Sequence, residues 1–161
     1  MKITILHFHN QTKRNMKLTL TACLLLISAF SYSQTNNDSV AIVKLLEKAA
    51  VTFRSGDAKA YADCWHVQPY SVMLISTADG KALSIPAKAL AQPSSAMGHG
   101  GFATATNYRM GIYGDNAWTS FDEISTAKDG TKSYSYEMWM VEKIDGEWKF
   151  AAASLHFYKQ P

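Results

Sequence analysis

The chain is poor in cysteine, with Cys23 and Cys64 its only two, and it holds just four prolines. Its longest apolar run, Leu18 to Phe30, is too short to cross a bilayer and remain there. No basic stripe, internal repeat, low-complexity tract or linker interrupts it. Each absence excludes something. One or two thiols cannot make a disulfide framework, so the fold must rest on its core. No two-ligand spacing of the His-x-Glu-x-x-His kind offers a metal site, and none of the Ser, His and acidic residues forms a recognisable nucleophile elbow. The glycines of Met97-Gly-His-Gly-Gly101 are no nucleotide loop, since no strand leads into them and no clear helix follows. The residues therefore call for no metal and no cofactor.

What is present begins with a leader. Met16-Lys17, the apolar run to Phe30, and small residues at Ser31 and Ser33 follow the charged, apolar, small-residue order of a secretory signal peptide. Residues 1–34 are assigned to it, with Met16 a possible true start, and a periplasmic or secreted location is expected. Leu20-Thr-Ala-Cys23 imitates a lipoprotein cleavage site, but about five apolar residues precede the cut, fewer than the roughly 7–15 an export core needs. Cleavage near Ser33 or Gln34 fits better and leaves no membrane anchor.

The charge changes with the leader removed. Of 16 basic and 13 acidic residues, Lys2, Lys13, Arg14 and Lys17 fall in the leader and no acidic residue does, leaving 12 against 13, a net of −1. Nucleic acid is then an unsuitable partner. Residues 35–161 suffice for one compact domain. Cys64, its single thiol, reads as a small buried hydrophobe.

Asn36-Asn-Asp-Ser39 supplies capping oxygens, and Ile42, Leu46, Ala49, Ala50 and Phe53 recur at helical spacing. Gly56 ends that helix, and Asp57 caps a shorter one with Ala58, Tyr61, Ala62 and Trp65 on one face. Strands are expected over residues 68–77 and 81–85, then a short helix opened by Pro86. Four longer strands follow over 103–113, 117–125, 133–143 and 147–158, the last two joined by Asp145-Gly146, a dipeptide suited to positive φ in a tight hairpin. Helices first and a meander last give an α+β fold with the helices on one face of the sheet.

The phrase Glu137-Met-Trp-Met-Val-Glu-Lys-Ile-Asp-Gly-Glu-Trp-Lys-Phe150 resembles the C-terminal signature of SnoaL-like proteins in the nuclear transport factor 2-like superfamily. Phe53-Arg-Ser-Gly-Asp57 is similar to that family's break between its first two helices, and Gly114-Asp-Asn-Ala-Trp118 to the turn opening its middle strands. The resemblance covers residues 38–158. It implies a cone-shaped, cystatin-like fold, a curved antiparallel sheet with the N-terminal helices on its concave face. It also implies a homodimer through the outer sheet face. The chain departs from the pattern at Trp139, where the family usually has Arg, and at Ala152 and Ser154, where many relatives carry His.

Alternation places Glu137, Trp139 and Val141 on one face of their strand and Tyr134, Tyr136, Met138 and Met140 on the other. The resemblance turns the Glu137 face into the cone. Glu137 is the first candidate for an acid or base, because burial beside an indole raises a carboxyl's pKa. The plainer reading is a structural carboxylate hydrogen-bonded across the sheet. Asp122 is the alternative base, although only one of Asp122 and Glu123 can face inward. His156, expected to share the face of Trp148, Phe150, Ala152 and Ser154, is a candidate hydrogen-bond donor. His99, in its glycine loop, is placed over the mouth. Trp65, Tyr70, Tyr108, Trp118 and Trp139 are expected to wall the cavity or fill the core.

Two functions fit. One is an exported module that binds a small apolar ligand or acts as a scaffold. The other is a cofactor-free isomerase, lyase or hydrolase of a small hydrophobic molecule, with Glu137 or Asp122 as general base. Catalysis needs at least two convergent polar groups, and the alternation guarantees one. Whether the protein is an enzyme stays open at this level.

Overall fold

The structure, a computed structural model, describes residues 37–160. The unit Met1–Asp38 lies almost wholly outside them, and with it the assigned leader; Ser39–Pro161 is a second unit that carries the fold. No helix of the described residues is long and apolar enough to cross a membrane.

Helix α1 covers residues 37–55. It buries Ile42, Leu45, Leu46 and Ala49, the stripe its apolar spacing demands. Gly56, at φ +83°, ends it, and α2 (Ala58–Ala62) starts on Asp57, whose carboxylate accepts the Ala60 N–H at 2.9 Å. Strands β1 (Val72–Ser76) and β2 (Ala82–Pro86) form a hairpin, and Pro86 precedes the single turn α3 (Ala87–Leu90). Four long strands complete the chain: β3 (Phe102–Tyr113), β4 (Asn116–Thr126), β5 (Lys132–Ile144) and β6 (Glu147–Tyr158). The β5–β6 turn has Asp145 at φ +52° and Gly146 at φ +84°, the pair of positive angles that a two-residue hairpin loop requires.

The six strands lie in the order β2-β1-β6-β5-β4-β3. The expected antiparallel sheet is in fact mixed: β1 pairs parallel with β6, Val72 opposite Ala152, because the chain reaches β1 from the helices rather than from a neighbouring strand. Two irregularities bend it. The β3–β4 register shifts between Thr106 and Arg109, with Asn107 at φ +57°, and the β5–β6 register shifts between Met140 and Val141. Such bulges raise local twist and curvature. The core joins α1 and α2 to the inner face of the sheet through aromatic contacts: Trp139 to Phe150 at 4.3 Å, Trp65 to Phe150 at 5.4 Å and Phe53 to Tyr61 at 5.4 Å between ring centroids.

Candidate functional site

The second register shift decides which residues of β6 face inward. Val141 lies opposite Phe150, whereas Trp139 lies opposite Ala153 and Glu137 opposite Leu155, so Ala151 is the extra residue. Beyond it the inward set is Ala153, Leu155 and Phe157. The expected inward row of Ala152, Ser154 and His156 is therefore corrected. The bulge breaks the regular alternation, and these three stand on the outer face, paired with Met140, Met138 and Tyr136.

The inner face of the sheet, with α1, α2 and residues of the 89–101 segment, bounds an open cavity of about 1070 Å³. Its wall is mostly apolar, with Leu46, Phe53, Met73, Ile75, Phe121 and Leu155 among the contributors. The segment that rims it is tied to the end of α1: Gly98 N–H donates to Phe53 O at 3.0 Å and Gly100 N–H to Arg54 O at 2.8 Å. Gly98 also packs against Gly56, where an added Cβ on Gly56 would lie 3.1 Å from its Cα.

Glu137 lies on this wall and is 4 % exposed. Ser135 Oγ donates to its Oε1 at 2.9 Å and Trp139 Nε1–H to its Oε2 at 2.8 Å, all three side chains projecting from one face of β5. Burial pushes the carboxyl up to about 7. The neighbouring Glu123 carboxylate adds to the rise, while the two hydrogen bonds and the Arg54 guanidinium restrain it. Glu123, from β4, is held by Arg54 at 2.8 Å, and the same Arg54 nitrogen donates to Ser125 at 2.8 Å. Arg54 thus links the end of α1 to the cavity face of β4. A carboxyl with a pKa near 7 populates both protonation states at neutral pH, and so can give or take a proton.

The other expected site residues are dispersed. Asp122 does not join Glu137; it opposes Tyr136 on the outer face and accepts a 2.6 Å hydrogen bond from Asn107, in a shallow notch of about 310 Å³ shared with Arg109. Its neighbour Glu123 takes the inward position. His156 is exposed and bonds Ser154 at 2.9 Å, and His99 is exposed, donating from Nε2 to Ser95 O at 2.7 Å; neither lines the cavity. Tyr70 is 59 % exposed and donates to Glu142, which also bonds His66, away from the wall. Trp65 fills the core, Trp118 lies on the outer face opposite Met140, and Tyr108 and Trp139 do line the cavity. Cys64 is buried, donates to Ala60 O and has its thiol pKa pushed up by burial. Among the described residues no three His, Cys, Asp or Glu side chains cluster as metal ligands.

Arg54 and Tyr61 are polar cavity residues that the sequence does not single out, and Glu123 takes the inward place for which Asp122 was the candidate. The signal for Arg54 lies in the Phe53-Arg-Ser-Gly-Asp57 break, where the end of α1 meets the sheet.

No family model matches the chain, and no curated protein does. Solved structures do. A protein of unknown function with a cystatin-like fold from Nostoc punctiforme superposes with a TM-score of 0.62 at 15 % identity, over 74 % of this chain and 90 % of that one. A nuclear transport factor 2-like protein with a cystatin-like fold from Novosphingobium aromaticivorans gives 0.63 at 15 % identity, over 81 % and 88 %. A protein of unknown function from Mycobacterium tuberculosis gives 0.61 at 18 % identity, over 80 % and 76 %. At such identities the likeness establishes architecture, and with the mixed curved sheet and its covering helices it places the chain in the nuclear transport factor 2-like, cystatin-like fold.

Proposed function

We propose that this protein is an exported domain that binds a small, mostly apolar molecule in the cavity of its curved sheet, with Glu137 as a polar contact. One observation carries the reading: an open apolar cavity of about 1070 Å³ with a carboxyl set deep in its wall. Ligand sites are typically apolar hollows with a few fixed polar groups, and this volume lies just above their usual size. The test is to purify the protein from the compartment it is exported to and measure it by native mass spectrometry. A mass excess released by organic solvent is expected. A bare chain that also fails to take up hydrophobic probes would end the reading. The same spectrum gives the mature N-terminus, expected near Gln34 or Thr35; an intact Met1 or a lipidated Cys23 would overturn the export proposal.

A second reading, a cofactor-free isomerase, lyase or hydrolase, is favoured by one feature, the Glu137 carboxyl poised at about 7. Glu137→Gln keeps the shape. It should abolish turnover if the carboxylate is a general base, and leave affinity within a few-fold if it only orients the ligand.

The partner proposed is a second copy of this chain, docked on the outer face of the sheet. Trp118, Tyr136, Met138, Met140 and Leu74 are 36–56 % exposed there, an apolar surface of the kind that proteins cover.

A further inference from the structure

The outer face of the sheet holds two opposite charges that share a notch without pairing. Between Thr106, opposite Asp122, and Arg109, opposite Ser120, β3 spends two residues where β4 spends only Phe121. The extra residue is accommodated with Asn107 at φ +57°, a left-handed angle that asparagine tolerates better than most residues. Bulges of this kind re-aim side chains. Here the result is a hollow of about 310 Å³ at the β3 edge of the sheet, lined by Asn107, Tyr108, Arg109, Asp122 and Tyr136. Asn107 Nδ2 donates to Asp122 Oδ2 at 2.6 Å, and Oδ1 of that carboxylate accepts nothing among the described residues. Arg109 is exposed, and its guanidinium makes no ion pair or hydrogen bond among the described residues, with Asp122 or any other. Tyr136, 36 % exposed, sets a phenol ring beside Asp122, its partner across the strands.

We propose that this notch binds a free α-amino acid with an apolar or aromatic side chain, its carboxylate on Arg109 and its ammonium on Asp122. The site lies on the face opposite to the cavity, and the proposal is independent of what the cavity takes.

The chemistry of the lining supports that class of ligand. A guanidinium meets a carboxylate through two parallel N–H donors, and the open Oδ1 of Asp122 is an acceptor for an ammonium. An α-amino acid carries both charges on neighbouring atoms of one carbon, which suits two opposite groups that stand near each other but beyond pairing distance. A simple anion would meet the Asp122 carboxylate, and a simple cation would meet the Arg109 guanidinium. Exposed charge pairs are individually weak, so recognition needs both together. The Tyr136 ring gives the ligand's side chain an apolar surface to lie against. Tyr136 also belongs to the apolar patch of Trp118, Met138 and Met140, and the notch opens at the margin of that patch, toward β3. Its volume is at the small end of ligand sites, as a single amino acid requires.

The test follows the N–H signals of the protein by NMR as four probes are added in turn: L-phenylalanine, 3-phenylpropionate, phenethylamine and glucose. L-Phenylalanine should shift the Arg109 Nε–H and the Asn107 side-chain amide in a saturable way, with millimolar affinity. 3-Phenylpropionate and phenethylamine each lack one charge and should bind about fivefold more weakly, the size of one exposed charge pair. Arg109→Gln, a change on an exposed side chain, should keep the melting temperature and lower L-phenylalanine to the level of phenethylamine. Asp122→Asn should lower it to the level of 3-phenylpropionate. Equal binding of the amino acid and either analogue, or unchanged affinity in Arg109→Gln, would overturn the proposal. So would tighter binding of glucose, shifts confined to cavity groups such as the Trp139 Nε1–H, or no shift with any probe.

Discussion

A carboxyl held near pKa 7 inside a fold ties stability to pH, and for Glu137 the sign is fixed. Its folded pKa of about 7 exceeds the ordinary value of 4.5, so between the two the native state binds more protons than the unfolded one. The wild type should therefore be most stable below about pH 4.5 with respect to this group, and lose stability as pH rises through 7. The loss should be on the order of 1–3 kcal/mol, read as a falling denaturation midpoint between pH 5 and pH 8. Glu137→Gln can still accept from Trp139 and should flatten that slope; an unchanged slope would place the titration elsewhere. Trp139→Phe is the complementary change. It keeps the ring against Phe150 but removes the N–H that favours the carboxylate, so the Glu137 pKa should rise further, visible by carbon-detected NMR of the carboxyl. Trp139→Ala would instead open the core and cost about 3–5 kcal/mol.

At the scale of elements, local chemistry made much of the fold legible. Gly56, at positive φ, and Asp57, whose carboxylate caps α2, mark a helix break, and the positive φ of Asp145 and Gly146 marks a hairpin. The inward face of β5 was legible too, since nothing interrupts its alternation from Ser135 to Val141. On β6 the same logic failed. Ala151, Ala152 and Ala153 carry no contrast of polarity, so nothing in the chain marks which alanine is the extra one. The Arg54–Glu123 pair was hidden for another reason: it depends on how α1 sits against β4, a long-range arrangement. The bulge can be tested directly. Ala153 is 4 % exposed and faces Trp139, so Ala153→Leu should overpack the core and cost about 1–3 kcal/mol. Ala152→Leu, on the outer face opposite Met140, should leave stability within about 0.5 kcal/mol. Unbroken alternation from Phe150 would reverse the two outcomes.

For the whole molecule, the two faces of the sheet have different work to do. The inner face supplies a core and a cavity, and the outer face leaves large apolar side chains in water. Met138 and Met140 are 43 % and 56 % exposed, and Trp118, opposite Met140, lies across Gly111 so closely that an added Cβ there would stand 2.5 Å from its Nε1. Small neighbours on the same face, Ser120 and Ser154 beside Met138 and Ala152 beside Met140, keep this patch low enough for another sheet to approach. Burying each methionine would contribute about 1.5–3 kcal/mol if its removal from water were complete, so a few such contacts can offset the entropy of association. The wild type should accordingly run as a dimer in light scattering at micromolar concentration. Met138→Lys would place an unpaired ammonium at the centre of the contact, at a cost of several kcal/mol, and should give a folded monomer. Because position 138 faces away from Glu137, that monomer should keep the cavity's ligand affinity and the pH slope of stability. A wild type already monomeric at micromolar concentration would end the dimer proposal, whereas a monomeric variant that also lost ligand affinity would mean the two faces are coupled through the sheet.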